Sequence, residues 1–131
     1  MDITLIIAIA LILLVFIGGG LIAFKKRRPK LSPQLYKKSV QSIQKTKDLD
    51  PAHSIMEGHK IFIKALQSLS ETKMNAADST RKIADYLPNA KQVWHYHRLR
   101  NQIAHETDIK VSKKQADDAR NVWVKALGVF K

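Results

Sequence analysis

The stretch from residue 3 to residue 24 constrains this chain more than any other, because Thr4 is its only residue that is neither apolar nor Gly. At ~1.5 Å of rise per residue it would make a helix about 33 Å long, matching a hydrocarbon core of roughly 30 Å. A surface helix of a globular domain carries a polar stripe, and this run has none. A cleaved leader has a basic start and a small-residue cleavage site. Here only Met1 and Asp2 precede the run, and Lys25-Lys26-Arg27-Arg28 follows it. The sequence therefore predicts a retained transmembrane helix over residues 1–24. The nearby bases all lie on its C-terminal side. This predicts a single pass through the inner (cytoplasmic) membrane, with the N-terminus out and the remaining chain in the cytoplasm.

Charge sharpens that picture. The chain has 131 residues, with 23 Lys+Arg against 11 Asp+Glu and a formal net charge of +12. Nine of the bases fall within residues 25–47, where there is no acid, so most of the surplus is juxtamembrane. Lys25, Lys26, Arg27 and Arg28 would be drawn to anionic lipid by on the order of 1 kcal/mol per base, which makes the lipid bilayer an expected partner. The same charge permits RNA binding without requiring it. The absence of Cys excludes disulfide scaffolds, cysteine nucleophiles and thiolate metal sites.

The rest reads as helices, with no alternating apolar and polar segment to suggest a strand. Residues 25–49 form a basic linker, interrupted by Pro29 and Pro33, and a weakly apolar helix from Gln34 to about Lys47. Residues 50–131 form the helical domain. Asp50-Pro51 caps a helix whose inner face carries Ile55, His59, Phe62, Ile63, Leu66 and Leu69, and which ends near Ser70. A short helix follows from Asp78 to Tyr86, and Asn89 caps another that runs to about Glu106. Ser112-x-x-Gln115 has capping-box spacing and opens the last helix. The fold class is thus all-α, a transmembrane helix followed by a bundle of about four to five helices. Its small core would gain from self-association.

The chemistry-bearing residues concentrate between Trp94 and Glu106. On a helix, His97, Asn101 and His105 are spaced by four and share one face with Arg98 beside them, while Tyr96, Leu99 and Ile103 form an opposing apolar stripe. Arg100 lies at the border. His95 and His97 point about 160° apart, and His97 and His105 are about 12 Å apart along the axis, so neither pair chelates. No metal site is expected. The five Gly make no phosphate-cradling loop, and no cofactor is expected.

The string Arg100-Asn101-Gln102-Ile103-Ala104-His105 resembles the signature of the HEPN superfamily, an Arg followed four to six residues later by a His, often with Asn directly after the Arg. The wider string from His97 to Glu106, Leu87-Pro88-Asn89 upstream and the Ser112-capped closing helix extend the resemblance over roughly residues 50–130. It implies an up-and-down bundle of about four helices that dimerises. It further implies a metal-independent endoribonuclease of toxin, defence or RNA-processing type, with an antitoxin or another protein as partner. By position Arg100 and His105 would be the catalytic pair, Asn101 their polar support and Glu57 a supporting acid. His97 and Arg98 would join them where two copies meet in a homodimer cleft. RNA cleavage through the 2′-OH suits these residue types, since His transfers protons near neutrality and Arg offers planar donors to a phosphate. DNA, without that hydroxyl, would be a poor substrate. Other members of the superfamily are inactive, and the alternative is a HEPN-like binding or scaffold module tethered to the membrane.

Overall fold

The computed structural model describes residues 2–23, 27–70 and 73–131, leaving aside the side chains of residues 20–23. Among the described residues there are six α-helices and no strand, so the chain is all-α as expected. The helices are α1 (Ile3–Ala23), α2 (Pro33–Lys45), α3 (Pro51–Gln67), α4 (Ala76–Ile83), α5 (Ala90–His105) and α6 (Lys113–Gly128). Short 3-10 turns extend α2 over Thr46–Asp48 and α4 over Ala84–Tyr86.

Local chemistry sets most of these starts. The Asp50 carboxylate accepts from the His53 backbone N–H at 3.1 Å, with Pro51 at the first helical position where its missing donor costs nothing. Ser32 caps α2 in the same way, ahead of Pro33. Asn75 caps α4, receiving the Asp78 N–H at 2.8 Å. At α6 the capping box is complete: Ser112 Oγ accepts from Gln115 N, and Gln115 Oε1 accepts from Ser112 N. Asn89 departs from expectation. Its side chain makes no cap bond but is buried and donates to the Val122 carbonyl oxygen on α6 at 3.1 Å. A cross-helix acceptor has won over the local one.

The expected transmembrane helix is corrected. Among the described residues, no helix is long and apolar enough to cross a membrane. Helix α1 is apolar, and its large side chains are exposed, Ile3 and Leu14 each at 72% and Phe16 at 75%.

Helix α3 is the centre of the bundle, packed against α2, α4, α5 and α6. Its inner face supplies Ile55, Phe62 and Leu66, which meet Trp123, Ala126, Leu127 and Phe130 from the closing segment. Burying each large apolar side chain stabilises the fold by roughly 1.5–3 kcal/mol. Gly58 lets α6 approach closely, since a Cβ there would stand 2.7 Å from Cζ3 of the fully buried Trp123 ring.

Helix α2 packs on α3 and α6 through the buried Ile43 and Ser39. The preceding crossing is also fixed. Leu31 is buried, and its N–H donates to the Phe130 carbonyl oxygen at 2.6 Å. A buried polar chain ties α6, α3 and the end of α2 together. Arg120 donates to Ser54 Oγ at 2.6 Å and pairs with Asp117. Ser54 donates in turn to Thr46 Oγ1 at 3.1 Å, and Thr46 to the Ile43 carbonyl oxygen at 2.6 Å.

Candidate functional site

Helix α5 is seated by Val93, Tyr96 and Leu99, all buried. That seating turns the next residue around the helix, His97, towards α3, where it meets His59. The rings approach with His97 Nδ1 3.2 Å from His59 Nε2. Both are buried, His59 at 3% exposure and His97 at 8%. The edge of Trp94 and that of Trp123 flank the pair, with ring centroids 5.4 Å from His97 and 5.8 Å from His59.

The proton positions follow from Arg100. A guanidinium can only donate, and Arg100 Nη1 donates to Asn101 Oδ1 at 3.2 Å. The Asn101 amide NH₂ therefore faces His97 and donates to Nε2 at 3.3 Å. With Nε2 accepting, His97 carries its proton on Nδ1 and donates it to His59 Nε2. His59 then holds its own proton on Nδ1. One directed chain runs from Arg100 through Asn101 and His97 to His59.

Electrostatics keep both rings neutral. Burial, then the neighbouring His97 and Arg100, push His59 down to about 3 from an ordinary 6.5. Burial also lowers His97, with Arg100 and Arg98 acting in the same direction. Neither ring is available as a cationic acid near neutrality.

Arg100 is half-buried at the wall of a hollow of about 420 Å³ lined by His59, Lys60, Ile63, Lys64, Gln67 and Ala76. Its Nε is buried and has no acceptor. His105 is the last residue of α5, one turn beyond Asn101, and is exposed. The fold thus brings Arg100, Asn101 and His97 together, and leaves His105 facing solvent beside them with no hydrogen bond to the set. Arg98 is exposed on the same helix. Glu57 does not reach the set; it lies 3.9 Å from His53 on its own helix.

Of the four basic residues expected beside a membrane, Arg28 donates to the Val129 carbonyl oxygen at 3.3 Å, and Arg27 lines an apolar hollow with Leu66, Leu69, Ile83 and Tyr86. Lys25 and Lys26 lie outside the described residues. Among the described residues no group of three or more His, Asp or Glu is placed to hold a metal ion.

No family model, curated protein or solved structure matches the chain. The site must be read from its own chemistry. The residue that the sequence reading missed is His59. Its place on the inner face of α3 was legible, but its partner stands 38 positions away on another helix. Two inward-facing imidazoles in separate amphipathic patterns were the available signal.

Proposed function

We propose that this chain is a HEPN-type, metal-independent endoribonuclease that works beside a lipid surface. The observation that carries the reading is the hydrogen-bonded chain Arg100–Asn101–His97, which fixes one guanidinium on α5 five residues before the exposed imidazole of His105. In the reaction the RNA 2′-OH attacks the adjacent phosphorus. A 2′,3′-cyclic phosphate forms, the P–O5′ bond breaks, and a 5′-OH strand leaves. His105 of one copy takes the 2′-OH proton, and the partner copy's equivalent gives a proton to the departing 5′ oxygen. Arg100 stabilises the charge that builds on the phosphoryl oxygens. His97, neutral and buried, is a positioning residue that orients Asn101 and thereby Arg100. A homodimer joining two α5 faces completes the cleft, with Arg98 adding charge at its edge.

The exposed apolar side chains of α1, followed by the basic segment, support association with anionic lipid at the cytoplasmic face of the inner membrane. One observation favours a non-catalytic RNA-binding module instead: within a single chain Arg100 and His105 share no hydrogen bond.

The test is incubation of the full chain, in neutral detergent with EDTA, with end-labelled RNA and with the all-deoxy strand of the same sequence. Cleavage of RNA alone, leaving cyclic phosphate ends and lost in His105→Ala and Arg100→Ala, is the expected result. Binding of RNA with no cleavage by the unaltered chain would overturn the enzyme and leave the module.

A further inference from the structure

The hollow between α3, α5 and the start of α4 has an unusual wall. Lys60 and Lys64 stand one turn apart on α3, and Arg100 faces them from α5. None of the described residues lining the hollow is acidic. The one acid of α3, Glu57, does not line the hollow and lies 3.9 Å from His53. His59, at the back, is held neutral and supplies no compensating charge. Beside these cations the Nε–H of Arg100 is buried and, among the described residues, has no acceptor. Three positive groups lining a hollow of about 420 Å³ describe a receptacle with room for a phosphate group and a preference for anions.

We propose that this hollow holds a backbone phosphate of single-stranded RNA, a nucleotide or more away from the bond that is cut. Arg100, at the wall of the hollow, then presents Nη atoms to the reacting phosphate while its charge also attracts the one seated beside it. Lys60 and Lys64 flank the seated phosphate. Both lysines are exposed, so the strand reaches them from solvent. This rests on the RNA-cleaving reading of α5 and adds to it the direction of the strand, across α5 towards α3.

The experiment separates binding from chemistry. A fluorescent oligonucleotide, 2′-O-methylated throughout so that it cannot be cut through its 2′-OH, is titrated with the full chain in neutral detergent over a range of salt. The double substitution Lys60→Gln/Lys64→Gln is expected to raise Kd at least ~10-fold and to reduce the slope of log K against log salt by about 0.7, the loss of one phosphate contact on a single strand. Lys113→Gln/Lys125→Gln, two exposed lysines on α6, is the control and should leave the slope nearly unchanged. Equal effects of the two pairs, or an unaltered slope in the α3 pair, would overturn the proposal. So would a chain whose α3 pair weakens binding to anionic vesicles and not to the oligonucleotide. Failure of the nuclease reading shows separately, as an intact Lys60/Lys64 dependence in a chain that cuts no RNA.

Discussion

His97 Nδ1 stands 3.2 Å from His59 Nε2, and only one of these two nitrogens can supply the proton between them. The supplier is His97, because Arg100 orients Asn101 and Asn101 leaves His97 Nε2 as an acceptor. Both rings are therefore expected to hold their protons on Nδ1, whereas a free neutral imidazole in water favours Nε2. Long-range ¹⁵N–¹H correlation spectra should show two Nδ1–H tautomers that persist across neutral pH. Asn101→Leu should release His97 from this state.

The same pair makes stability depend on pH. In the unfolded chain His59 binds a proton near 6.5, and in the fold it does not until about 3. Over that window the unfolded state holds more protons. Stability is therefore full above pH 6.5 and falls as the pH drops, with a slope approaching ~1.4 kcal/mol per pH unit for this one group. His97, lowered for the same first reason, acts in the same sense. Denaturant midpoints measured from pH 7.5 to 4.5 should trace the fall, and His59→Gln should flatten it.

Gly58→Ala sets two effects against each other. Alanine favours a helix interior by ~1 kcal/mol over glycine. Its Cβ, however, would meet the fully buried Trp123 ring at 2.7 Å, and overpacking a fixed ring costs typically 1–3 kcal/mol. The clash should win. Thermal unfolding should show a net loss of up to about 2 kcal/mol, together with a changed Trp fluorescence.

Ser54→Ala removes the shared oxygen between Arg120 and Thr46. It leaves a buried guanidinium short of an acceptor, at a cost of about 1–3 kcal/mol. Arg120→Met, which removes the charge and keeps the bulk, should be milder than Arg120→Ala. Equilibrium denaturation of the three variants gives the order directly.

His105→Ala is expected to leave stability within ~0.5 kcal/mol, because its side chain is exposed and makes no hydrogen bond among the described residues. RNA cleavage should nonetheless fall by about 10²–10⁴-fold. Measuring both on one preparation separates a reacting group from a structural one.

Helix starts were legible because they are local. Asp50-Pro51 and Ser112-x-x-Gln115 each carry donor, acceptor and spacing within four residues, and both form as read. Asn89 had the same local signature, but an acceptor 33 positions away claimed its side chain. The face shared by His97 and Asn101 was legible from their spacing, and the hydrogen bond between them forms. The His59–His97 contact and the Ser54–Arg120 brace were not, because each joins separate helices whose juxtaposition is set by packing. Whether α2 packs on the bundle was equally open in the sequence, its apolar positions being few; Ile43 and Leu31 decide it by burial. The apolar run over residues 3–24 was read as a span, an expectation that the described part of α1 does not meet.

The backbone crossing from α1 to α2 is hooked at Leu31 onto Phe130 and at Arg28 onto Val129. A mechanical pull on α1 would thus arrive at the tail of α6 before it reached the middle of the bundle. Because α6 carries both Trp123 and Arg120, the helix that receives the tug is the one whose grip holds α3 in place.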